Sequence, residues 1–145
     1  MFQNQLELLR ADKPVDFQNS DLLEKIAKPV IELSEKEFVK LVDDFLSGLA
    51  EHLEDVMDFN AEIEDINYSS GVLKLELVGN KSYVLNKQTP NKQLWLSSPF
   101  SGPQRYEYNS PRKSWVNNRS GVDIIELLNS EFKSNFKDLQ LKIKQ

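Results

Sequence analysis

The stretch Leu73-Lys74-Leu75-Glu76-Leu77, closed by Gly79-Asn80, decides the fold class. Leucine recurs at every second position with a charged residue between, so one edge of the segment is apolar and the other polar. Side chains of a strand alternate between the two faces of its sheet, and this pattern describes a strand buried on one side only. Such a strand belongs to an antiparallel sheet with one covered face and one open face.

The neighbours repeat the signal. Ile66 and Tyr68 alternate ahead of Ser69-Ser70-Gly71, a turn sequence. After Gly79-Asn80 come strand signals at Ser82 to Asn86, Gln93 to Ser98 and Arg105 to Tyr108, then a short piece at Trp115-Val116. Every link is short, as hairpins between antiparallel strands allow.

Helical patterns flank the strands. Ser34-Glu35-Lys36-Glu37 reads as a capping box, in which a serine side chain and the following glutamate satisfy free backbone donors reciprocally. Phe38, Leu41, Val42, Phe45, Leu49, Leu53 and Val56 then recur at three- and four-residue steps, the period of a helix with one buried face. This helix is expected to end near Phe59-Asn60. A second helix is expected from Ser120-Gly121, with Asp123 in its first turn and Ile124, Leu128, Phe132 and Phe136 as its apolar stripe. Leu139, Leu141 and Ile143 alternate in the tail, which is expected to lie extended along the helices. The order helix, strands, helix implies an α+β two-layer sandwich: an antiparallel sheet of five to six strands with both helices packed on one face.

Residues 34–145 thus read as one domain, preceded by an arm over residues 1–33 that is flexible or serves self-association. The arm is mixed in charge and carries Arg10 as its single arginine beside Glu7, Asp12, Asp16, Asp21 and Glu24, unlike an intact mitochondrial targeting peptide.

Composition excludes several functions. The chain has no cysteine and one histidine, His52, which removes disulfides, thiolate chemistry and multi-histidine metal sites. A net charge of −5 opposes general nucleic-acid binding, and no apolar run is long enough for a membrane span. No catalytic triad, phosphate-cradling glycine loop or dinucleotide fingerprint is present. Charge is segregated: twelve acids against Lys36 and Lys40 between Glu32 and Asp65, and seven basic residues against Glu107 alone between Lys81 and Arg119. A chain with an acidic end and a basic end suits docking on more than one charged surface.

Two candidate sites follow. On the sheet, Leu94 and Leu96 should face the helices, which turns Gln93, Trp95 and Ser97 outward. By the same period Tyr83 and Leu85 face inward and Asn86 outward beside Trp95. Tyr106 and Tyr108 face inward and Arg105 outward. Tryptophan and arginine are the residue types that most often anchor protein interfaces. On the first helix, Asp43, Asp44, Glu51, Glu54, Asp55 and Asp58 form an acidic ridge whose carboxylate oxygens suit hard cations. A charge run of this kind also occurs as a plain solvated helix face, or as a dock for a basic partner.

The run Asn86-Lys87-Gln88-Thr89-Pro90-Asn91-Lys92-Gln93-Leu94-Trp95-Leu96-Ser97-Ser98-Pro99, with Ser101-Gly102-Pro103 and Arg105-Tyr106, closely resembles the central signature of eukaryotic frataxins. Leu49 to Asp55, Ser70 to Leu73, Trp115-Val116, Gly121-Val122 and Glu126 to Leu128 resemble other parts of that family. The resemblance extends from Ser34 to Phe136 and leaves the arm uncovered. It implies a frataxin-like fold and a factor of the mitochondrial matrix, or of a mitosome, that promotes iron–sulfur cluster assembly. Its implied partners are a cysteine desulfurase and an iron–sulfur scaffold protein, with no nucleic acid or membrane, and self-association is open. Asn86, Lys87, Gln88, Trp95 and Arg105 match the family's interface positions, and Pro90 and Pro103 are expected to fix the turns that hold the strand ends. Iron (Fe2+ or Fe3+), weakly bound at the surface, is assigned by the resemblance to Asp43, Asp44, Glu51, Glu54, Asp55, Asp58 and Asp65. The implied role is that of an activator without catalytic residues. The alternative is a ferroxidase or iron-storage protein that oligomerises through its arm. Arg119 and Ile125 stand where some frataxins carry histidine.

Overall fold

A computed structural model of the chain describes residues 33–143. The arm expected over residues 1–33 lies, apart from Leu33, outside the described residues. Helix α1 (Glu35–Met57) is followed by strands β1 (Ile63–Ser69), β2 (Val72–Leu77), β3 (Lys81–Gln88), β4 (Gln93–Ser98), β5 (Gly102–Asn109) and β6 (Ser114–Asn117), then helix α2 (Ile124–Asn135). The six strands form one antiparallel sheet in chain order, β1-β2-β3-β4-β5-β6. No helix among the described residues is long and apolar enough to cross a membrane.

Helix α1 begins directly after Ser34, where the capping box placed its start, and ends at Met57. Its last turn tightens, with Phe59 N donating to Val56 O at 2.9 Å, so the helix stops short of the expected Phe59-Asn60. The buried stripe is Phe38, Val42, Leu46, Leu49, Ala50 and Leu53. The expected stripe contained Leu41, Phe45 and Val56 instead of Leu46 and Ala50. Those three are half-buried flanks, and Phe45 still reaches Trp115 with ring centroids 6.4 Å apart.

In the sheet, Leu73, Leu75, Leu77, Tyr83, Leu85, Leu94, Leu96 and Tyr106 are buried beneath the helices, as the two-residue period requires. Trp115 of β6 is buried edge-on against Phe38 of α1 (5.9 Å), and Tyr83 of β3 meets Phe132 of α2 (5.4 Å) in the same T-shaped manner. Strand β1 starts earlier than its alternation suggested because the register shifts between Ile63 and Asp65. The irregularity reverses the parity, so Ile63 and Ile66 lie on one side although three residues apart. The β1–β2 turn is Ser70-Gly71, both with positive φ (51° and 77°), the backbone a two-residue hairpin needs.

Helix α2 starts later than expected. Gly121 is left-handed (φ 76°) and Val116 bridges Asp123, so the chain stays extended through Asp123. Asp123 is the N-cap: its carboxylate accepts from Ile125 N (2.7 Å) and Glu126 N (3.3 Å). The tail runs extended along both helices. Leu139 and Leu141 are buried, Asn129 of α2 exchanges two hydrogen bonds with the Leu141 backbone, and Lys142 N donates to His52 Nε2 of α1 at 3.2 Å.

Candidate functional site

The register of the sheet aligns Val72, Asn86, Trp95 and Arg105 in one row across β2, β3, β4 and β5. The inward neighbours Leu85, Leu94 and Tyr106 are buried, so the row faces away from the helices, where sequence periodicity placed it. Trp95 is half-buried and held on two sides. Its Nε1–H donates to Gln93 Oε1 at 2.8 Å, and the Arg105 guanidinium carbon lies 4.8 Å from the ring centroid. Gln93 is held in turn, its Nε2 donating to Glu107 Oε2 at 2.9 Å. A cation over an aromatic ring is worth about 0.5–1 kcal/mol at an exposed site. The indole is therefore fixed before any partner arrives, which lowers the entropy lost on binding.

Gln93 belongs to this candidate site, and sequence reasoning missed it. It was placed outward without a role, yet it is only 8% exposed and orients the tryptophan. Residues two apart in a strand share a face, and that spacing to Trp95 was the available signal.

Lys87 behaves differently from its neighbours. It opposes inward-facing Leu94, and its ammonium reaches Asp43 Oδ1 of α1 at 2.9 Å. Gln88 opposes Gln93 on the open side. Asn86, Gln88, Trp95 and Arg105 therefore share the open face, whereas Lys87 turns to the helix side and joins the acidic ridge. The Lys87 stem passes over Gly71, where a Cβ would stand 3.0 Å from Lys87 Cε. Beside this pair, burial and the Asp43 carboxylate raise the Tyr68 phenol above its ordinary value, with Lys87 pulling the other way.

Along the ridge, Asp44 is paired with Lys40 at 3.0 Å, and Glu51, Glu54, Asp55 and Asp58 are exposed. Asp65 is exposed on β1, at the register shift. Among the described residues no three acidic or histidine groups converge into a ready-made cation site. His52 Nε2 accepts the Lys142 backbone N–H. The donors are hard oxygens, the class that suits iron, and they are spread along α1 and onto β1.

A second network steadies the end of β4. Glu131 of α2 accepts from Tyr83 OH (2.9 Å) and Ser98 Oγ (2.6 Å) on Oε1 and from Ser101 Oγ (2.5 Å) on Oε2. Ser98 Oγ also accepts from Phe100 N and Ser101 N, so the β4–β5 turn is tied to α2. Pro90 lies in the tight turn Thr89–Asn91 between β3 and β4, and Pro103 sits in β5 opposite Ser97.

A family model described as a frataxin-like domain matches residues 31–138. The chain belongs to the frataxin-like family. Mitochondrial frataxin of Dictyostelium discoideum is 46% identical over 96 residues, covering 65% of this chain and 49% of that protein. Mitochondrial frataxin of Arabidopsis thaliana is 41% identical over 104 residues, covering 70% of this chain and 55% of that protein. The chain thus spans about half the length of these relatives. It is of the eukaryotic mitochondrial frataxin type, and the mitochondrial placement expected from sequence agrees with the names of these relatives. Among solved structures, yeast frataxin superposes with a TM-score of 0.61 at 36% identity, covering 71% of this chain and 83% of that one. Trimeric frataxin from Saccharomyces cerevisiae, complexed with ferrous iron, gives 0.59 at 33% identity over 83% of this chain and 96% of that one. The six-stranded sheet with two helices is the frataxin fold.

Proposed function

We propose that the chain is an iron-binding assembly factor that promotes iron–sulfur cluster biogenesis. It binds a cysteine desulfurase–scaffold complex through the open sheet face and accelerates sulfur transfer by binding, without a reactive side chain of its own. The observation that carries this reading is the fixed Trp95, clamped by Gln93 and Arg105 and flanked by Asn86 on an open polar face. An aromatic anchor held in place beside hydrogen-bonding side chains joins a flat partner surface without a deep pocket. Iron would be carried by the acidic ridge, through Glu51, Glu54, Asp55, Asp58 and Asp65, with Asp43 and Asp44 engaged by Lys87 and Lys40. The test is binding of the purified desulfurase–scaffold complex to the immobilised chain. Trp95→Ala should lower affinity at least tenfold while its circular dichroism stays native. Equal binding by the variant would remove the sheet face from the interface.

A second reading is favoured by the solved trimer complexed with ferrous iron: a self-associating ferroxidase or iron-storage protein. Oxygen consumption on adding ferrous iron separates the two. A rate lost in the Glu51→Ala/Asp55→Ala double variant supports oxidation at the ridge, and a rate equal to buffer alone excludes it.

A further inference from the structure

A surface groove of about 610 Å³ opens on the sheet face beside Trp95, with Asn86, Ser97, Arg105, Asn118 and Arg119 among its lining residues. Its far rim is the turn that follows β6, and hydrogen bonds hold that turn in place. Asn118 N donates to Arg105 O at 3.0 Å, which continues the β5 ladder. Arg119 N and Ser120 N both donate to Asn117 Oδ1, at 2.7 and 3.0 Å, and Gly121 N donates to Asn117 O at 2.9 Å. Arg119 is thus anchored through its backbone next to the residue that pairs with Arg105.

Neither guanidinium is in an ion pair among the described residues, whereas Lys40, Lys74 and Lys87 pair with Asp44, Glu76 and Asp43. The nearby acid of the open face, Glu107, is engaged by Gln93. In a chain of net charge −5, this groove is a local cationic site.

We propose that the groove docks an extended acidic segment of a partner protein, with a carboxylate held by Arg105 and Arg119 and an apolar side chain against Trp95. The inference rests on the sheet-face reading above and names the chemistry of what that face receives. A guanidinium presents a planar fork of donors that matches a carboxylate, and two of them on one rim favour an acid over a neutral or basic segment. Each asparagine amide offers both a donor and an acceptor, the complement of a peptide backbone. Nucleic acid would need a track of cations along successive phosphates, which two arginines do not supply. Arg119 then acts as a specificity residue: Trp95 gives the anchor, and Arg119 selects the charge of what lies beside it.

The test titrates the 15N-labelled full chain with three probes: a hexapeptide with two glutamates around one leucine, the same peptide with lysines for glutamates, and inorganic phosphate. The chain has two tryptophans, so the Trp95 indole N–H is readily assigned with a Trp95→Phe control. The acidic peptide should shift both the Trp95 indole and the two arginine side-chain signals, and Arg119→Gln should weaken it about tenfold. The lysine peptide should leave all three signals in place. Equal shifts from the lysine peptide, an unchanged affinity in Arg119→Gln, or phosphate alone reproducing the tryptophan shift would each overturn the proposal. Desulfurase stimulation separates this claim from the broader one. If Trp95→Ala abolishes stimulation and Arg119→Gln does not, the acidic-segment claim fails and the sheet-face reading stands. If the wild-type chain fails to stimulate, the broader reading fails, and the peptide titration still decides the groove.

Discussion

The Arg105 guanidinium lies 4.8 Å from the Trp95 ring centroid, and both residues stand directly opposite one another on paired strands. Their contact is local to the open face, whereas the indole N–H is fixed by Gln93. Gln93→Ala should therefore free the ring with little loss of stability. Acrylamide quenching measures this, because Trp115 is buried and Trp95 carries the accessible emission. The variant should show a steeper accessible component at a Tm within a few degrees of wild type. An unchanged quenching curve would show that Gln93 does not hold the ring.

The Lys87–Asp43 pair is partly exposed on both sides, at 25% and 42% of side-chain area. Pairs of that kind contribute about 0–1 kcal/mol. Lys87→Met keeps the stem over Gly71 and should lower unfolding free energy by no more than about 1 kcal/mol. Gly71→Ala should cost more, about 1–2 kcal/mol, because it puts a side chain on a left-handed backbone and its Cβ 3.0 Å from Lys87 Cε. Urea denaturation of both variants checks the ranking, and a larger loss for Lys87→Met would contradict it.

Glu131 concentrates three hydroxyl donors on one carboxylate. Glu131→Ala leaves part-buried Tyr83 and Ser98 hydroxyls without their acceptor, at a cost of about 2–3 kcal/mol. It should also loosen the β4–β5 turn, read as faster amide exchange at Phe100 and Ser101. Unaltered exchange there would mean that the Ser98 side chain alone secures the turn.

Tyrosine ionisation should set the alkaline limit. Burial, and for Tyr83 the hydrogen bond to Glu131, raise the Tyr83 phenol well above its ordinary value. Burial pushes Tyr106 up to about 12. Folding therefore favours the neutral phenols. Their contribution is fully present below the unfolded-state pKa of about 10 and is lost as pH rises from there through the folded values. Urea midpoints should fall steeply between about pH 10 and 12, less so in Tyr83→Phe. A midpoint independent of pH over that window would contradict the burial argument.

Much of the sheet was legible because the two-residue period carries through β2 to β5: Leu94 and Leu96 placed Trp95 outward, and Tyr83 and Leu85 placed Asn86 beside it. The start of α2 was legible too, since Asp123-Ile124-Ile125-Glu126 has the spacing of a cap followed by a first-turn acid, but the serine and glycine upstream drew the boundary early. The register shift at Ile63/Asp65 broke the period that reveals a strand. The Lys87–Asp43 and Glu131 contacts join residues 44 and 30 to 48 positions apart. They depend on how helix and sheet are placed, which periodicity within one element does not encode.

The central claim is that the open sheet face, anchored by Trp95, stimulates sulfur transfer on a partner complex. It is tested most directly by cysteine-desulfurase turnover and cluster formation on the scaffold protein, with and without this chain, beside Trp95→Ala. The account predicts stimulation by the wild type that is lost in the variant while its circular dichroism stays native. Stimulation that survives in Trp95→Ala, or no stimulation by the wild type, would contradict it.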